Sequence, residues 1–135
     1  MSKHQDIIDT LSFFDSWEDR YRYMIELGKE IPTMDDSLRT EDKIVRGCQS
    51  QVWITNEFLD GKFTFQVDSD ALIVKGLLAI VMAAYNNKTA EEILAFDIED
   101  YFSELDLIKH LSPTRGNGLK AMVDRIKKIA QSHIV

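Results

Sequence analysis

The chain has 135 residues, 44% of them hydrophobic and 29% charged, with a formal net charge of −7 and one cysteine. That length fits one domain with a real core, and the acidic balance excludes a non-specific nucleic-acid binder, which needs a basic face to displace counterions from phosphates. A lone cysteine permits no internal disulfide, and one thiolate per chain cannot build an iron–sulfur cluster or a cysteine-based zinc site.

The start, Met1-Ser2-Lys3-His4-Gln5-Asp6, lacks the apolar core of a signal peptide. The most hydrophobic run, Ala71 to Tyr85, is too short to span a bilayer and carries Lys75 in its middle. A cytoplasmic protein with no membrane partner is the expectation. Ile7, Ile8, Leu11 and Phe14 share a helical face, which predicts a first helix ending at Phe14. Ser16 and Asp19 have capping-box spacing, and Trp17, Tyr21, Met24, Ile25 and Gly28 continue at helical spacing until Pro32 ends the second helix. Thr33 to Lys43 is polar, acidic and aperiodic, the pattern of a surface loop.

Gln51 to Phe58 is β-branched and aromatic, and Phe63 to Val67 alternates, with the turn-forming pair Asp60-Gly61 between them. A hairpin is therefore predicted, with Cys48 at the entry to its first strand. Asp68-Ser69-Asp70 supplies N-cap residues for a helix from Ala71 to Tyr85, whose apolar residues leave almost no polar face. That helix is expected at the centre, against the sheet, with Lys75 snorkelling to the surface. Thr89 with Glu92 forms a second capping box, opening a helix to Ala95; Asp97 to Asp106 reads as a helical turn docked by Tyr101 and Phe102. Ser112-Pro113 opens a last helix with a stripe of Leu119, Met122, Val123, Ile126, Ile129 and Ala130. Helices, hairpin, helices make a single α+β domain over residues 1–135, a small antiparallel sheet packed against several helices.

Little other chemistry is available. His4, His110 and His133 are far apart in no metal-ligand spacing, and His110 reads as a helix-end residue. Gly116-Asn117-Gly118 follows no strand, so it is no dinucleotide loop, and no serine nucleophile elbow exists. Cys48 is left as the group with distinctive chemistry, a thiol whose thiolate Arg46 could favour electrostatically. A buried, inert cysteine is the ordinary alternative. Gly47 before it allows a tight bend and close approach. A thiol with no dedicated base suits a carrier activated by its partner; a Cys/His hydrolase would need a histidine beside it in space.

Six blocks carry a resemblance that spans nearly the whole chain: Trp17-Glu18-Asp19-Arg20-Tyr21, Ile25-Glu26-Leu27-Gly28, Gly47-Cys48-Gln49-Ser50-Gln51-Val52-Trp53, Asp68-Ser69-Asp70-Ala71, Ile73-Val74-Lys75-Gly76-Leu77 and His110-Leu111-Ser112-Pro113-Thr114-Arg115. In this order they resemble the SufE family, sulfur-accepting partners of cysteine desulfurases, whose fold is shared with IscU-type scaffolds. The resemblance implies that Cys48 takes persulfide sulfur from a SufS-type desulfurase, stimulates it, and passes the sulfur to a SufBCD-type scaffold complex for iron–sulfur assembly. Pyridoxal phosphate would stay on the desulfurase, leaving this chain with no cofactor and no metal. The resemblance also implies a cysteine loop that folds into a cavity and swings out on docking, and a homodimer. Gly47 would lend the loop hinge freedom, and Gln49, Ser50 and Gln51 polar contacts, or these three are plain loop-to-strand residues. Asp70 and Arg115 would flank the loop and take part in docking; an N-cap and a surface residue are their ordinary roles. A CsdE-type acceptor is the nearest rival, although Gln49-Ser50-Gln51 looks more SufE-like. An IscU-type scaffold is disfavoured by the single cysteine. A Cys-dependent hydrolase and an adaptor with an inert Cys48 are the remaining alternatives.

Overall fold

Eight β1 residues, Val52–Leu59, pair antiparallel with eight in β2, Lys62–Ser69, in a register running from Val52↔Ser69 to Leu59↔Lys62. The computed structural model describes residues 3–134. Asp60 and Gly61 close the hairpin with φ of 55° and 78°, the positive pair that a two-residue turn with matching twist requires. Val52 and Ile54 share one face with Phe63, Phe65 and Val67, and all five are buried. The two strands form the whole sheet among the described residues.

Helix α1 (Lys3–Ser12) buries Ile7 and Leu11, and it stops two residues before the predicted end. Phe14 instead closes a turn onto the Leu11 carbonyl. Helix α2 (Trp17–Lys29) starts at Ser16, whose hydroxyl accepts from the Asp19 N–H. It ends before Pro32, the residue expected to stop it.

Helix α3 (Leu72–Tyr85) is the centre of the molecule, with ten of its 14 residues buried. It packs on α1, α2, β2 and the last helix. Where α2 crosses it, a Cβ on Gly28 would lie 2.6 Å from the Gly76 nitrogen, and one on Gly76 would lie 2.3 Å from the Met24 carbonyl oxygen. Two glycines are thus what bring these backbones together.

Helix α4 (Ala90–Ala95) opens with the full Thr89/Glu92 capping box. Helix α5 (Ile98–Glu104) buries Tyr101 and Phe102, and the Tyr101 hydroxyl donates to the Ile80 carbonyl at 2.9 Å. Helix α6 (Pro113–Gln131) starts at Ser112 and buries Leu119, Met122, Val123, Ile126 and Ala130.

Three local expectations are corrected. The 33–43 segment is not a plain surface loop: Met34 is 2% exposed, and two 3₁₀ turns, Asp36–Leu38 and Glu41–Lys43, order the segment. Lys75 does not snorkel free, since its Nζ lies 3.5 Å from Asp68 Oδ1. Arg39 pairs with the same carboxylate and lies over the Trp53 ring, 5.8 Å from its centroid. Burial pushes the Asp68 carboxyl up, but Arg39, the Ser69 N–H and Lys75 outweigh it and hold it below the usual carboxylate range. Finally, neither Asp68 nor Asp70 caps α3. Its N-cap is Ala71, with no side-chain cap, and the Ala71 N–H donates to Ser69 Oγ at 3.2 Å.

Candidate functional site: the Cys48 loop

The chain leaves the second 3₁₀ turn, makes a one-residue bridge from Ile44 to Trp53, loops through Arg46–Ser50 and enters β1. Gly47 turns the loop at φ 98°, a left-handed conformation that side chains disfavour, and a Cβ there would meet Ala121 Cβ of α6 at 3.2 Å. This turn aims Cys48 inward. Its thiol is half-buried and donates to the Gly118 carbonyl oxygen of α6 at 3.4 Å.

Around the thiol is a cavity of about 70 Å³. Val74 and Leu77 of α3 and Met122 of α6 supply its apolar wall, and Gln49, Ser50, Thr114 and Arg115 its polar one. No histidine among the described residues lines it, so a Cys/His pair of the hydrolase type is not assembled. Burial pushes the Cys48 thiol up from its ordinary range. Arg46 does not counter that: its side chain is 77% exposed and its Nη2 lies 3.5 Å from Glu41 Oε1, so it faces an acid instead of the thiol. Half-burial and a carbonyl acceptor both favour the thiol over the thiolate, which is the attacking form.

The residues expected around the cysteine fall into three groups. Gln49, Ser50 and Arg115 line the cavity with Cys48, and Arg115 also donates to the Tyr21 hydroxyl at 2.7 Å. Gly47 is the turn that aims the thiol. Gln51 and Asp70 lie outside the cavity and join each other: the Gln51 N–H donates to Asp70 Oδ1 at 3.0 Å, and the Asp70 N–H to the Gln51 carbonyl at 3.3 Å. Ser69 Oγ donates to that same carbonyl at 2.7 Å. Asp70 is therefore the anchor of the loop's outgoing stem, not a helix cap.

Val74, Leu77, Thr114, Gly118 and Met122 are cavity residues that sequence reasoning did not single out. Gly118 carried a signal, because a glycine inside a helix is unfavourable and asks for a close neighbour. A Cβ there would lie 3.4 Å from Cys48 Sγ and 3.8 Å from its Cα. His110 stacks on Trp17, 3.9 Å between ring centroids, away from the thiol. Among the described residues no group of three or more His, Cys, Asp or Glu is arranged to hold a metal ion, and no helix is long and apolar enough to cross a membrane.

A protein-family model described as "SufE: Fe-S metabolism associated domain" matches residues 5–130. An uncharacterized SufE-like protein of Rhizobium meliloti (strain 1021) is 47% identical over 138 aligned positions, covering 99% of each chain. An uncharacterized SufE-like protein of Rhizobium etli is 47% identical, covering 97% of this chain and 91% of its own length. The solution structure of a hypothetical protein from Thermus thermophilus superposes with a TM-score of 0.78 at 17% identity, over 96% of this chain and 94% of that one, which is a likeness of fold.

Proposed function

The chain belongs to the SufE family, sulfur-transfer proteins of iron–sulfur metabolism, and from that premise we propose that Cys48 is its sulfur-accepting thiol. A cysteine desulfurase of the SufS type presents a persulfide on its own cysteine. The Cys48 thiolate attacks the terminal sulfur; the sulfur–sulfur bond of the donor breaks, its cysteine leaves as a thiolate, and a new persulfide forms on Cys48. Clearing that persulfide speeds the desulfurase, and the sulfur then moves to a scaffold complex of the SufBCD type. This chain supplies a carrier thiol in the cytoplasm, without catalytic turnover of its own. Pyridoxal phosphate remains on the desulfurase.

The observation that carries this reading is the placement of Cys48. It sits on a short loop with a left-handed glycine beside it, its thiol turned into a small cavity that no histidine or carboxylate of the described residues lines. Such a thiol is sheltered between transfers, and its activation is left to docking. Gln49, Ser50 and Arg115 are the polar groups that meet the loop or the partner, and Asp70 and Gln51 hold the outgoing stem.

The test is intact-protein mass spectrometry after anaerobic incubation with a SufS-type desulfurase and cysteine. The expected result is a reducible gain of sulfur on the wild type, none on Cys48→Ser, and faster desulfurase turnover with the wild type alone. No gain and no stimulation with several desulfurases would overturn the assignment.

A further inference from the structure

Two stems hold the cysteine loop, and the incoming one depends on a residue outside the cysteine motif. Arg125 of α6 donates from Nη1 to the Ile44 carbonyl at 3.1 Å and from Nη2 to the Asp42 carbonyl at 2.8 Å. The chain carries 23 acidic residues, yet Arg125 makes no ion pair among the described residues. Its fork is spent on two neutral carbonyls that straddle the end of a 3₁₀ turn, a bidentate geometry that the single ammonium of lysine cannot copy. One residue further on, the Val45 N–H donates to the Val52 carbonyl at 2.8 Å, tying the same stem to β1.

The positions on α6 give this clamp its meaning. Gly118, Met122 and Arg125 are spaced four and then three residues apart, so they share one helix face. That face receives the thiol at Gly118, walls the cavity at Met122 and holds the stem at Arg125. Ala121 beside them faces Gly47. With Val45 tied to Val52 on one side and Gln51 fixed to Asp70 on the other, Arg46–Ser50 is the span between the two tethers.

We propose that Arg125 is a positioning residue: it fixes the incoming stem to α6 and so keeps Cys48 seated in its cavity, confining loop motion to Arg46–Ser50. Its use in sulfur transfer rests on the acceptor reading above, but the clamp itself is testable without a desulfurase. Wild type, Arg125→Gln and Arg125→Lys are compared by the rate of Cys48 alkylation with iodoacetamide and by amide hydrogen exchange. Losing two hydrogen bonds from a charged donor on a half-exposed surface predicts alkylation about tenfold faster in Arg125→Gln, with Arg125→Lys in between. The Val45 amide exchanges faster by a similar factor, whereas the Gln51 amide and those of Phe63–Val67 keep wild-type rates.

Alkylation within about twofold of wild type, the range of an indifferent surface change, would overturn the proposal. So would a gain in alkylation matched by the β2 amides, because that marks a general loss of stability. If Arg125→Gln does not fold, Arg125→Lys carries the same comparison. Persulfide loading is measured separately: selective loosening in a protein that never gains sulfur would sink the acceptor reading and leave the clamp standing.

Discussion

Replacing Gly76 with alanine sets two effects of known sign against each other. Alanine in a helix interior is favoured over glycine by about 1 kcal/mol. Against that, the new Cβ would lie 2.3 Å from the Met24 carbonyl oxygen and 2.8 Å from its carbonyl carbon. Both are backbone atoms of α2, so no side chain can rotate away and the helix itself must shift. Overpacking costs about 1–3 kcal/mol, and a backbone clash belongs at the top of that range, leaving a net loss of about 2 kcal/mol. In a domain of this size the melting temperature falls by about 6–10 °C. Gly116→Ala is the matched control: nothing lies within 4 Å of its Cβ and the residue is in α6, so alanine should raise the melting temperature by about 3–5 °C. Thermal unfolding followed by circular dichroism or calorimetry reads both. If Gly76→Ala melts at or above the wild-type temperature, the α2–α3 crossing is not fixed by backbone contact and the packing argument fails.

Two further outcomes are expected. Arg39→Ala leaves the buried Asp68 carboxylate with Lys75 as its remaining cation and should lower the urea midpoint at neutral pH. Because the folded Asp68 titrates below its ordinary range, its contribution is present above that range and is lost as pH falls through the depressed value; Arg39→Ala should therefore move the acid-unfolding midpoint upward. An unchanged midpoint would refute the role given to Arg39. Gly47→Ala places a side chain at φ 98° and 3.2 Å from Ala121 Cβ, at a cost of about 1–2 kcal/mol that the loop can relieve only by moving out. Faster alkylation of Cys48 is the expected reading, and an unchanged rate would show that the turn is not what seats the thiol.

The elements that the sequence announced are those whose determinants lie within a turn or two. The apolar run of α3, the Thr89/Glu92 box, Ser112-Pro113 and Asp60-Gly61 all folded as their local patterns imply. Cys48 at the mouth of β1 was legible for the same reason. What local pattern could not settle was competition for a partner. Asp68, Ser69 and Asp70 are all competent caps, but Asp70 is claimed by the Gln51 amide, 19 residues earlier, and Asp68 by Arg39, 29 residues earlier. Arg46 is separated from Cys48 by a left-handed glycine, and it pairs with Glu41. The cavity wall was least legible, since the bond from Cys48 to Gly118 joins residues 70 apart and no periodicity records it.

A thiol whose surroundings favour its protonated form is at first sight the wrong group for accepting sulfur, because attack on a persulfide needs a thiolate. In the acceptor role proposed above, a change of position is what would relieve the conflict. Burial and the Gly118 carbonyl both favour the protonated form, and both influences would end if Cys48 left its cavity. Leaving is not costly in hydrogen bonds: a thiol is a weak donor, and the Gly118 carbonyl is already part of a helix. The opposing terms are the apolar contacts with Val74, Leu77 and Met122 and the fixed stems on either side. The thiolate is the form most open to oxidants, and a thiol seated in its cavity is shielded from them. Under the acceptor reading proposed above, docking would have to relieve both influences, and the seated thiol is the state from which it would start.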